Sequence, residues 1–132
     1  VTEPDLRAAI ETAAAHIRPG GATILIPDAV AETFSPGTER GGGDDAEGRG
    51  VRYLEWTHDI GADGASYDVD YAFLIHEPGR PARVEHDRHT IGLFPRATWL
   101  DLIEASGLRP LELGFDDAYS AQHVIFTARR PE

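Results

Sequence analysis

Cysteine is absent from this 132-residue chain. Disulfides, thiolate metal sites and cysteine nucleophiles are therefore excluded, and a cytoplasmic location is expected. Lysine is absent too, so all 12 basic residues are arginine. With the abundant Ala, Gly, Pro and Asp, this reads as the mark of a high-GC coding sequence. Positive charge is scarce: 23 acidic residues leave a net charge of -11. Phosphate backbones need clustered Lys or Arg, so a nucleic-acid partner is not expected. An anionic membrane surface is disfavoured for the same reason, and the acidic excess serves solubility. No apolar run is long enough for a transmembrane helix. The first residues hold no basic region followed by an apolar stretch, so no signal peptide is visible.

Methionine is missing as well, and the chain opens at Val1 almost directly in a helix. That helix should run from Pro4 to about Ile17. Thr2 is a plausible N-cap, and Glu3 and Asp5 suit the positive helix end. Leu6, Ala9, Ile10, Ala13, Ala14 and Ile17 form its apolar stripe. Pro19, Gly20 and Gly21 end it. Residues 22–27 follow at once, with Thr23, Ile24, Leu25 and Ile26 apolar on both faces. That is how an interior strand of a parallel sheet reads. Helix, tight turn and doubly buried strand make half of a βαβ unit whose first strand is not in this chain. The expectation is a fragment.

Residues 31–50 hold Ser35, Pro36, Gly37, Gly41, Gly42, Gly43, Asp44, Asp45, Gly48 and Gly50. They predict a polar, glycine-rich loop. It carries no Gly-Lys-Ser/Thr and no GxGxxG after a strand, so phosphate binding is not expected. Three strands should follow, at residues 51–60, 67–76 and 82–94. Their alternation and short turns mark an antiparallel meander. Pro95 opens a second helix to about Ser106, with Trp99, Leu102 and Ile103 as its stripe and Gly107 just past its end. Residues 108–115 and 124–128 are the last strands. The expected organisation is one region: helix and buried strand (1–30), antiparallel insertion (50–94), helix and closing strands (95–132).

The stretches "HIRPGGATILIPDAV", "GLFPRATWLDLIEASGL" and "HVIFTARRP", in that order, resemble the C-terminal half of a class I S-adenosylmethionine-dependent methyltransferase. The first looks like the turn into that family's fifth strand, the second like its later helix, the third like its closing seventh strand. The insertion, with its "H-x-I-x-L-F-x-R" pattern from His89 to Arg96, resembles that of actinobacterial enzymes that dimethylate nucleotide-linked aminosugars. The resemblance implies an α/β fold: a partial Rossmann-like sheet of strands five to seven with an inserted three-stranded antiparallel meander. It implies S-adenosylmethionine as cofactor, a small-molecule substrate with an N or O nucleophile, and a homodimer formed through the inserted sheet. The family's glycine-rich cofactor loop and ribose-binding acid lie upstream of the matched region. The isolated chain should therefore hold the cofactor weakly or not at all.

Several residues are candidates for chemistry. His89 sits where the related enzymes also place a histidine, and it could take a proton from the acceptor. Asp87, two residues back on the same strand face, would fix its tautomer. A structural histidine bonded to the adjoining loop is the alternative. Asp28 ends the first strand, where ligands gather in open α/β sheets; an Asx-type turn residue is its alternative. Tyr53, Glu55 and Trp56 could wall a substrate pocket, with Glu55 pairing to an amine, or they could serve sheet packing or a dimer face. Alternation puts Tyr53 and Trp56 on opposite faces. It also separates His86 from His89, so that pair cannot chelate a metal together. Glu85, Asp87 and His89 share a face, but a metal site is not expected. No Gly-x-Ser-x-Gly elbow is present, so serine hydrolysis lacks support. Two rival readings stand beside methyl transfer: a small α+β ligand-binding module, and a dimerisation module without catalysis.

Overall fold

The computed structural model describes residues 1–111 and 124–132. They form two compact units. One comprises Val1–Phe34 and Leu93–Glu132, the other Ser35–Gly92.

In the first unit, α1 (Glu3–His16) starts at a capping box. The Thr2 hydroxyl accepts from the Asp5 amide, and the Asp5 carboxylate accepts from the Thr2 amide at 2.8 Å. Two of the helix's orphan donors are thereby satisfied. Its far end is held by Arg130, whose guanidinium donates to the carbonyls of Ala14 and Ile17 at 3.2 and 2.7 Å. The second helix, α2 (Arg96–Ala105), has Pro95 at its N-cap and no side-chain cap of its own. Glu32 supplies the missing acceptor: both carboxylate oxygens lie within 3.1 Å of the Arg96 amide. A carboxylate there also suits the helix dipole. Gly107 ends α2 at φ +83°, a conformation that favours glycine.

Leu6, Ile10 and Ala14 of α1 pack with Leu102 and Ile103 of α2, Val30, Phe94, Leu108, Phe126 and Ala128. Trp99 stacks on Phe126 with ring centroids 5.2 Å apart. Beside this core lies a three-stranded sheet ordered β1 (Ala22–Leu25), β7 (Phe126–Arg129), β6 (Arg109–Leu111). The strand β7 runs antiparallel to both neighbours, so β1 and β6 are parallel to each other.

This corrects one expectation. Among the described residues β1 pairs with β7 alone, and burial on both faces is not met. Leu25 packs against the core, whereas Ile24 and Ile26 are 60% and 48% exposed. The apolar run is real, but the described residues cover only one of its faces. The strand expected at 108–115 is found as β6; residues 112–115 lie outside the described part.

The second unit is a four-stranded antiparallel sheet ordered β2 (Gly37–Asp44), β3 (Gly50–Ile60), β4 (Ser66–His76), β5 (Arg83–Gly92). The expected three strands are all present. The predicted loop is not: residues 37–44 of it form β2, in register with β3 from Gly37↔Thr57 to Asp44↔Gly50. Glycine has poor strand propensity, but pairing and cover from the neighbouring strand override it here.

Candidate functional site

The register of this sheet decides which side chains meet. Residues paired across a ladder share a face, and successive residues alternate. All four strands are in phase, so one face carries the odd-numbered residues and the other the even-numbered ones. The one irregularity, between Thr57 and Ile60, lies beyond Trp56. Tyr53 and Trp56 are therefore on opposite faces.

The odd face holds an aromatic row. Tyr53 is opposite Phe73, with ring centroids 6.4 Å apart and tilted. Phe73 stacks on Tyr71 at 5.6 Å, and Tyr71 meets the His89 ring at 5.3 Å. His89 places Nε2 3.0 Å from the Asp87 carboxylate. Its Nδ1 has no hydrogen-bond partner among the described residues. If Nε2–H donates to Asp87, Nδ1 keeps its lone pair and can accept a proton. Glu55 lies across from Glu39 on one side and Tyr71 on the other, and Tyr71 is in turn opposite Asp87. Like charges directly opposite repel. A cation placed over Glu55 and Glu39 would relieve that repulsion.

The even face is different. Asp70 sits at its centre. Arg88 donates to both its carboxylate oxygens, through Nε at 2.9 Å and through Nη2. Nε2 of His58 lies 2.7 Å from the carboxylate, and Nε2 of His86 lies 2.8 Å from it. The Arg88 guanidinium and then His58 hold the Asp70 carboxyl well below the usual carboxylate range. Trp56 stacks on His58 at 4.7 Å and is 57% exposed. Leu54, Leu74 and Val84 are exposed on the same face, Leu74 directly opposite Val84.

The sequence candidates are thus divided. Tyr53, Glu55 and His89 share the odd face with Asp87; Trp56 belongs to the even face. His86 reaches Asp70 while His89 reaches Asp87, on opposite sides of the sheet. Asp28 is an exposed residue of the other unit, three positions past β1, and forms no part of this sheet. The Asp70 cluster and Tyr71 were not singled out from the sequence. Both were within reach once the hairpins were set, because Asp70 then falls between His86 and the His58 segment. Among the described residues no group of three His, Asp or Glu is arranged to hold a metal ion. No helix there is long and apolar enough to cross a membrane.

No protein-family model matches the chain. It is 31% identical over 108 residues to dTDP-3-amino-3,4,6-trideoxy-alpha-D-glucopyranose N,N-dimethyltransferase of Streptomyces venezuelae, covering 82% of this chain and 44% of that enzyme. The chain resembles one half of an aminosugar N,N-dimethyltransferase. It spans about half the length, or less, of the curated relatives it matches. The crystal structure of Streptomyces venezuelae DesVI superposes with a TM-score of 0.79 at 26% identity, over 99% of this chain and 52% of DesVI. The structure of CalS10 with bound S-adenosylmethionine, an amino pentose methyltransferase from Micromonospora echinaspora, gives 0.71 at 23% identity, over 98% and 52%. A likeness at that identity speaks for the methyltransferase fold. The coverage is consistent with a C-terminal half.

Proposed function

We propose that this chain is the acceptor side of an S-adenosylmethionine-dependent methyltransferase acting on the amino group of a nucleotide-linked sugar. The observation that carries the reading is the odd face of the four-stranded sheet. His89 is hydrogen-bonded to Asp87, beside Tyr71 and on the same side as Glu55 and Tyr53. In a protein similar to aminosugar N,N-dimethyltransferases over four-fifths of its length, that set has the chemistry an amine acceptor needs.

An amine reaches the protein mostly as an ammonium, which cannot act as a nucleophile until it loses a proton. Glu55 attracts the cation, and the faces of Tyr53 and Tyr71 add cation–π attraction. Nδ1 of His89 takes the proton, the imidazolium being steadied by Asp87. The sheet, by fixing these groups, holds the freed lone pair in one direction. S-adenosylmethionine would supply the electrophilic methyl group. Among the described residues, no glycine-rich turn of the kind that makes its pocket leads from a strand into a helix. No residue of this chain is assigned to it.

We assign β1, β6 and β7 to strands five, six and seven of the methyltransferase sheet. The order β1-β7-β6 with an antiparallel centre supports this, as do the uncovered Ile24 and Ile26, which suit an interior strand in a larger sheet. The even face, with Leu54, Trp56, Leu74 and Val84, is proposed as the surface on which a second copy docks. Its charges balance: Arg40, Arg52 and Arg88 share this face with Asp44, Asp68 and Asp70, Arg88 standing directly opposite Asp70. Two such faces can meet despite the chain's overall charge of -11.

The test is to incubate the protein of the full reading frame with S-adenosylmethionine and a dTDP-3-amino-3,6-dideoxyhexose, then weigh the sugar nucleotide. One and then two added methyl groups are expected. A protein that binds the cofactor yet leaves the amine unmethylated would contradict the reading.

A further inference from the structure

On the odd face of β2 the residues are Gly37, Glu39, Gly41 and Gly43. The glycines at either end stand in the open: a Cβ on Gly37 or Gly43 would meet nothing within 4 Å. Gly41 is unlike them. A Cβ there would lie 2.6 Å from Tyr53 Cε1, 2.6 Å from its Oη and 2.7 Å from its Cζ. All three atoms belong to the outer end of the phenol ring, which therefore rests on the backbone of β2 at Gly41. The backbone itself does not ask for glycine at this position, since Gly41 is not among the positive-φ residues, whereas its neighbour Gly42 is, at φ +153°. The missing side chain at 41 serves the ring of Tyr53.

We propose that Gly41 is a positioning residue: by letting Tyr53 lie down over β2, it holds the ring at the edge of the acceptor surface formed by Phe73, Tyr71 and Glu55, within reach of the ammonium and clear of the sugar. This rests on the reading of the odd face as the acceptor side. The geometry is consistent with a ring held aside. Tyr53 and Phe73 are tilted with centroids 6.4 Å apart, while Phe73 and Tyr71 stack at 5.6 Å. A methyl group at 41 cannot coexist with the present ring position, because real Cβ atoms do not approach other atoms within 3.0 Å. The atoms in the way are the tip of a side chain rather than backbone. The ring, not the sheet, is what gives. It swings up from β2 over the odd face, where it narrows the space for the sugar.

An aromatic ring laid over a strand glycine also stabilises a sheet by covering it, so the test has to separate positioning from stability. In the full-length protein, G41A, Y53A, G41A/Y53A and G43A are compared by kcat, KM for the aminosugar nucleotide, KM for S-adenosylmethionine, and Tm. G41A is expected to raise the acceptor KM about tenfold with kcat and the cofactor KM little changed, since small misplacements at a site are costly. G43A, which removes a glycine from the same strand without touching Tyr53, is expected to leave all four quantities as they were. G41A/Y53A is expected to match Y53A, because a residue that acts through another has no effect once that one is gone. The proposal is overturned if G41A lowers Tm while the acceptor KM stays put. It is overturned equally if G41A fails to fold and G41A/Y53A folds, for the contact then holds the sheet together. If Y53A itself leaves the acceptor KM unchanged, it is the reading of the odd face that falls.

Discussion

The two faces of the four-stranded sheet are built from the same strands and differ in almost everything else. The odd face is aromatic and acidic: Tyr53, Tyr71 and Phe73 lie among Glu39, Glu55, Glu85 and Asp87, with Arg83 as the single arginine in register. Its histidine keeps one ring nitrogen free of hydrogen bonds among the described residues. The even face is apolar at one end and closed at its centre, where three side chains converge on Asp70. A carboxylate already satisfied by an arginine and two histidines has little left to offer a ligand. An unsatisfied carboxylate beside an aromatic row has much. Two-residue periodicity gives one sheet two chemically distinct faces, and on the proposed reading one serves catalysis and the other contact.

Substitutions can break this contrast. The largest effect should come from His89→Gln. Loss of a general base costs about 10²–10⁴ in rate, and kcat of the full-length enzyme is expected to fall by that order. His86→Gln, on the other side of the same strand, should leave kcat near wild type. Equal losses from both would dissolve the distinction between the faces. Glu55→Gln should come next, acting on acceptor KM. A hydrogen bond to a charged group is worth about 1.5–3 kcal/mol, so a rise of about ten- to a hundredfold is expected, with no change in oligomeric state.

The even face should answer to a different measurement. Leu74→Arg places a charge in the exposed apolar cluster and is expected to weaken self-association at least about tenfold in sedimentation, as truncation of interface anchors commonly does. Steady-state kinetics at concentrations where both proteins are monomeric should agree. Unchanged sedimentation would remove the even face as a docking surface.

The smallest effect is on acid stability. Asp70 is held ionised in the folded sheet by Arg88, then by His58 and His86. A carboxyl with a depressed folded pKa contributes stability above its unfolded value, about 4, and loses that contribution as pH falls below it. The wild-type Tm should therefore drop between about pH 5 and pH 2 by more than that of Asp70→Asn. Parallel curves would mean that the cluster does not stabilise the sheet.

Much of this architecture can be read along the chain. The Thr2–Asp5 cap, the stripe of Leu6, Ile10 and Ala14, and the alternation of Tyr67 to Ile75 are local patterns, and local patterns survive folding. The division of Tyr53 from Trp56 follows from the same period of two. What failed has a common cause. Glycines at 41 to 43 oppose a strand by propensity, and only the pairing of β2 with β3 and the ring of Tyr53 make one there. The Asp70 cluster needs three strands in register, with partners up to 18 residues apart. Burial of Ile24 depends on what lies against β1, which its own residues do not state. Asp28 is a candidate because it ends the first strand and His89 because of the family resemblance, and nothing along the chain states that they belong to different units.

The most direct test of the central claim is to titrate the full-length protein with an aminosugar nucleotide and follow side-chain resonances by NMR. Signals of Tyr53, Tyr71 and His89 are expected to move with saturation, while those of His58, His86 and Trp56 stay still. Shifts confined to His58, His86 and Trp56, or none on this sheet, would contradict the assignment of the odd face to the acceptor.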